Sequence, residues 1–269
     1  MNYKYLKRIS LFSIAAIPLV CGAILTSSVN ADDTNTSDTA NTNAFISFTG
    51  KNSPVNPVNP DNPSQPVNPN NPTGHTGDLA FDYIPANLNF GNHDKNANTQ
   101  TYSLVDPFAS GYKASDDAQD PVGTSMGQST VLKGAQKDYV FVQLHDMMNP
   151  DSGWNVNASF DGYTNSGKTL NGATINLKDG NAQKLSADGQ SWSPMTGVSN
   201  NIQLGSDNAP QNVLSADKSK SAGITQIYWD PSNISTTIPV GSSSVAGKDQ
   251  EGFRGKITWN VNATPNSGE

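Results

Sequence analysis

Cysteine, glutamate and arginine are nearly missing from this chain of 269 residues. It has one cysteine (Cys21), two glutamates (Glu251 and Glu269) and two arginines (Arg8 and Arg254). Without cysteine pairs it cannot be a disulfide scaffold and must hold itself together by its core. Charged residues are 14% and hydrophobic residues 34%, against roughly 45–50% apolar content, glycine included, in an ordinary globular domain. The net charge of −7 excludes nucleic acid as the natural partner, since phosphate binding needs a surplus of Lys and Arg. What fills the gap is amide and hydroxyl: there are 32 asparagines. Asn, Asp, Gly, Ser and Thr are poor helix formers, so a helical bundle is excluded too.

Chemical motifs are also few. His75, His93 and His145 are far apart and show no metal-ligand spacing. A glycosidase would need an Asp pair, and the aspartates are scattered among turns. His145-Asp146 reads as a strand-end polar pair. Asp116, Asp117 and Asp120 offer hard oxygen ligands for calcium, but at no EF-hand spacing. The expectation is a non-enzyme with no cofactor and no metal.

Residues 1–31 read as a secretory signal peptide. Lys4, Lys7 and Arg8 precede an apolar run from Ile9 to Leu25, and Val29-Asn30-Ala31 is a small-x-small cleavage site. Cleavage there removes Cys21 and three positive charges, taking the net charge to −10. No later run reaches the 18 or so apolar residues of a membrane span, so the mature chain is not expected to cross a membrane. It carries no LPxTG-like sorting motif, which argues against covalent anchoring to a wall.

Residues 32–43 are polar and are expected to be disordered. Ala44–Thr49 is strand-like. Prolines then fall at every third position from 54 to 72, the period of a polyproline II helix. Fully extended at about 3.1 Å per residue, this tract would reach roughly 59 Å. It is either a stiff stalk or a long excursion between two strands of one domain.

From Asp78 onward the pattern is all-β. Candidate strands are 79–83, 101–105, 139–145, 154–160, 173–177, 224–229, 234–240 and 256–264, separated by Gly, Asn, Asp and Pro turns. Apolar Trp154, Val156, Ala158 and Phe160 alternate with polar residues, as do Ile257, Trp259, Val261 and Ala263. A period of two places each set on one face. The expected fold is a β-sandwich or barrel-like stack of antiparallel sheets with long loops.

One pentapeptide occurs twice: Trp-Asn-Val-Asn-Ala at 154–158 and at 259–263. With it, Gly153-Trp154-Asn155-Val156 and Thr258-Trp259-Asn260-Val261, closed by Pro265, resemble the two Trp-x-Leu motifs of the WxL domain of Gram-positive surface proteins. Thr76-Gly77-Asp78-Leu79, Asp82-Tyr83-Ile84-Pro85, Leu88-Asn89-Phe90-Gly91 and the proline tract after Phe48 match as well. The resemblance runs from about residue 44 to the end and departs by having Val156 and Val261 where the family has Leu. It implies a cell-surface protein held non-covalently on peptidoglycan. It also implies partners: a membrane-anchored companion and other WxL-type proteins of one surface complex, with a role in adhesion left open.

The residues themselves leave two roles for the motif tryptophans. Trp154 and Trp259 share a face with Val and Ala, the expected core face, where a Trp can bury on the order of 200 Å²; the alternative is stacking on wall sugars. If they are core, Asn155, Asn157, Asn260 and Asn262 face outward. Side by side, those four amides would form one ladder suited to glycan hydroxyls and amides. Trp192, in the turn-rich Ser191-Trp192-Ser193-Pro194, is the better candidate for an exposed aromatic. Trp229 reads as core or rim.

Overall fold

The computed structural model describes residues 44–47, 54–65, 67, 74–119, 124–148, 152–242 and 252–264. The signal segment, Thr49, Asp120 and Pro265 lie outside them. Residues 48–269 form one compact unit. Residues 44–47 are exposed and carry no strand assignment, while 48 and 49, the rest of the strand expected there, lie outside the described residues.

The unit is all-β, as the alternation predicts, and is not a closed barrel. Fourteen strands are described in chain order: β1 Leu79–Tyr83, β2 Gln100–Ser103, β3 Val140–Asp146, β4 Gly153–Phe160, β5 Thr164–Asn165, β6 Lys168–Thr169, β7 Thr174–Lys178, β8 Asn181–Leu185, β9 Trp192–Met195, β10 Asn201–Gly205, β11 Gln211–Ala216, β12 Gly223–Trp229, β13 Ile234–Ile238 and β14 Ile257–Thr264. Single 3-10 turns at 114–116 and 231–233 are the described helical pieces. Three sheets do most of the work, with strand orders β1-β3-β12-β8-β9, β10-β7-β13-β2 and β11-β4-β14, every pair antiparallel. β5 and β6 make a small hairpin.

One hydrophobic core draws on all three larger sheets. Val140, Val142 and Leu144 of β3 and Ile227 and Trp229 of β12 meet Trp154, Val156, Ala158 and Phe160 of β4, with Ile175 and Leu177 from β7 and Val213 and Leu214 from β11. Each β4 side chain in that row is fully buried, which is the period-of-two reading made physical.

The other face of the five-stranded sheet is also covered. β3 is buried at all seven positions, because its second face is covered too: Gln143 by Val58 of the proline tract, Phe141 by Tyr83, and His145 by Asp82 and Gly77. Gln143, Gln226 and Gln183 stand opposite one another across β3, β12 and β8. Gln143 accepts from Val58 N–H (2.8 Å) and donates to Val58 O (3.0 Å). Gln183 donates to Pro60 O (3.0 Å) and the Trp192 indole to Asn59 O (3.0 Å). Asp61 accepts from the Tyr139 hydroxyl and from Ala135 N–H. The tract then turns back, with Val67 N–H donating to Pro57 O (3.0 Å). Proline carbonyls and the intervening N–H groups have no ladder of their own, so the glutamine row supplies one. A straight polyproline rod therefore does not describe residues 57–65 and 67; they form a strap on the sheet.

Candidate functional site

The two copies of the pentapeptide are neighbours. β4 and β14 pair antiparallel, with Trp259 opposite Ala158, Val261 opposite Val156 and Ala263 opposite Trp154. The repeat is thus one self-complementary pairing: each Trp faces the small Ala of the other copy, and Val meets Val. Alternating large and small residues lets the pair pack without overlap.

The copies are not equivalent. β4 is central and Trp154 is fully buried, its indole donating to Ser221 O (3.3 Å). β14 is an edge strand. Trp259 and Val261 are half-buried and Ala263 is exposed. Trp259 packs on the core beside Trp229, ring centroids 6.3 Å apart, and lines a cleft with Ile84, Pro85 and Leu88. The expected core face thus holds in full for the first copy and by half for the second, because an edge strand has no neighbour to close over it.

On the opposite face the amides line up. Asn260 stands opposite Asn157 and Asn262 opposite Asn155. On the far side of β4, Asn212 stands opposite Asn157 and Ser215 opposite Asn155. Two polar rows of three therefore cross the sheet, Asn212-Asn157-Asn260 and Ser215-Asn155-Asn262. Asn157 donates to Asn155 Oδ1 (2.7 Å) and Asn212 to Ser215 Oγ (3.0 Å), which fixes amide orientation while leaving donors and acceptors over. Asn260, Asn262 and Asn212 are exposed, and Asn155 and Asn157 half-buried. Asn212 and Ser215 are the members sequence reading missed. A bulge between Asn212 and Leu214 breaks the alternation that would have shown them.

Trp192 is not a free aromatic. It sits in β9, half-buried, and clamps the strap through Asn59. Its turn-like context is a short strand with a proline, tolerated because β9 is a sheet edge. Trp229 is core.

The other family-like segments each hold a joint. His145 pairs with Asp82, not with Asp146. Its Nδ1 lies 2.5 Å from Asp82 Oδ1 and its Nε2 2.7 Å from Gly77 O, with His145 and Asp82 fully buried. Both ring nitrogens lie within hydrogen-bond distance of an oxygen, so the ring ties β3 to β1 and to the turn before it. Asp146 instead accepts from Met148 N–H. Tyr83 stacks on Phe141 at 4.1 Å, and burial raises its phenol to about 12. Asn89 is a buried hub: its Oδ1 accepts from Gly91 N–H and Ala118 N–H, and its Nδ2 donates to Gly127 O. Asp116 caps its own turn through Lys113 N–H, and Asp117 Oδ2 accepts from the Tyr112 and Ser125 hydroxyls. Among the described residues no group of three or more His, Cys, Asp or Glu side chains is placed to hold a metal.

The domain is thus a stack of antiparallel sheets whose two motif strands present an amide-lined face. The chain matches the WxL domain, a surface cell wall-binding domain, over residues 35–265 and belongs to that family. It is accordingly a cell-surface, wall-associated protein. The family is a wall-binding one and not a catalytic one. Searches of curated proteins and of solved structures gave no match. No helix among the described residues is long and apolar enough to cross a membrane.

Proposed function

We propose that this chain is exported by its N-terminal signal and attaches directly and non-covalently to Gram-positive peptidoglycan, without catalysis. Family membership supports wall association; the observation that carries direct contact is the in-register amide face of β11, β4 and β14. Neutral amides bind hydroxyls and amides of a glycan–peptide polymer without adding to the repulsion between an acidic protein and anionic wall polymers. That repulsion is screened beyond about 10 Å at moderate salt, so attachment through amides persists as salt rises. Sedimentation of the purified chain with protein-free sacculi across a salt series tests this. Saturable pelleting with sacculi alone is the expected result.

A second reading rests on one observation. β14 has eight residues, pairs only with β4 among the described strands, and carries no charge or proline on Ile-Thr-Trp-Asn-Val-Asn-Ala-Thr. Natural edges are usually blocked by such residues. An open one can accept a strand from another protein, such as a membrane-anchored companion or another WxL-type protein. Pelleting that appears only after a companion is added supports this reading over the first.

A further inference from the structure

A cavity of about 690 Å³ opens between residues 86–95, the end of the four-stranded sheet and residues 252–255. That volume falls within the roughly 300–1,000 Å³ of small-ligand sites. It is lined by Leu170 and Ile238 of a second apolar cluster, with Tyr102, Tyr163 and Phe253 packed on that cluster. Its rim carries Lys95 and Arg254 against a single acid, Asp94, in a chain where acids outnumber bases 23 to 16.

Arg254 is one of two arginines in the sequence, and the fold displays it with care. It is exposed and makes no ion pair among the described residues. Its backbone is bridged to Thr164 in both directions, at 2.8 and 3.0 Å. Glycines bracket Phe253-Arg254 on both sides. A Cβ at Gly252 would collide with Gln119 O, and one at Gly255 with Gly162 O, so the loop is pinned by close backbone approach at each end. Across the cavity Asn89 ties the facing loop down, and Gly91 holds a φ of +93° that favours glycine. The walls are therefore preformed. The face of Tyr102 that would suit a sugar ring is taken by His93, stacked at 3.8 Å.

A planar guanidinium on a fixed loop beside an aliphatic lining is chemistry for a carboxylate on a short aliphatic chain. We propose that this cavity binds the carboxylate end of a short peptide. Arg254 makes the two-pronged carboxylate contact, and Phe253, Leu170 and Ile238 take the aliphatic side chains. On a wall-attached protein the peptide is a peptidoglycan stem, so the proposal rests on the wall-binding reading and names a second contact separate from the amide face.

The test is titration of the isotope-labelled chain, followed by the amide signals of Gly252 and Gly255. Three probes are used: a soluble muropeptide with free stem carboxylates, the same muropeptide with those carboxylates amidated, and N-acetylglucosamine oligomers, which carry no carboxylate. The free-acid muropeptide is expected to bind, and R254Q, with an unchanged unfolding midpoint, to weaken it about tenfold or more. R254K is expected to fall between them, and the other two probes to leave the signals unmoved. Equal binding of the acid and amidated forms, or no loss in R254Q, overturns the proposal. Wild-type chain that pellets with sacculi yet binds no muropeptide here also overturns it and leaves wall attachment standing. Failure of the wild-type chain to pellet is the separate result that overturns wall attachment.

Discussion

Gly153 shows how tightly the motif sheet is built. It begins β4, and a Cβ there would collide with Ala216 O on one side and crowd Thr264 Oγ1 on the other. Gly153→Ala is therefore expected to cost about 1–3 kcal/mol through overpacking, read from denaturant unfolding. The buried His145–Asp82 pair is a second liability. Asp82→Ala leaves the buried His145 ring without that hydrogen-bond partner and should cost about 1–3 kcal/mol. Titration provides a third check. Burial holds the Tyr83 phenol up at about 12 and pushes Tyr139 and Tyr163 upward as well. The folded state thus favours the neutral phenol. Its contribution is complete below about pH 10, the unfolded value, and is lost as pH rises through 12. The urea midpoint should fall over that window as phenolate absorbance grows; a midpoint that stays flat while the phenols ionise would contradict the burial.

At the scale of elements, the period-of-two pattern was enough to find β1, β4, β12 and β14 to within a residue of each end. Their apolar residues fall on one face or in one run, and burial rewards that pattern directly. β8, β9, β10 and β11 were not legible. Asn-Ala-Gln-Lys-Leu and Trp-Ser-Pro-Met hold few apolar residues, and β11 is bulged. Their strand state is dictated by neighbours and not by their own sequence. The amide ladder could be written down in advance only as a condition on β4 and β14 being adjacent. The identity of the two pentapeptides hinted at that adjacency, and the register between them supplied it. The strap was legible as a repeat but not in its path, because its partners, Gln143, Gln183 and Trp192, come from three strands far away in sequence. Burying the glutamines makes the strap structural. A chain beginning at Gly74 loses the hydrogen bonds of Gln143, Gln183 and Trp192 to the strap, at about 0.5–1.5 kcal/mol net each, so its melting temperature should drop by several degrees. A stalk would come off at no cost. The Val-for-Leu departure has two different consequences. Val156→Leu adds a methylene to a full core and should cost about 1–3 kcal/mol, whereas Val261→Leu on the half-open edge should be tolerated to within about 0.5 kcal/mol.

The whole molecule divides its labour between its sheets. The five-stranded sheet is sealed on one face by the core and on the other by the strap. The three-stranded sheet turns apolar residues inward and amides outward, so the repeated motif makes core and presents surface with the same five residues. A core tryptophan and an outward-facing amide then sit one position apart, which is why Trp154→Ala tests folding and not recognition. Recognition is better tested from Asn260 and Asn262, which are exposed on the edge strand. The decisive measurement is the binding isotherm of the full chain on protein-free sacculi, set beside that of N260D/N262D with its unfolding midpoint checked. Direct attachment predicts saturable binding by the unaltered chain that survives high salt, and clear weakening in the double variant. An unaltered chain that stays in the supernatant until a membrane-anchored companion is supplied would contradict it.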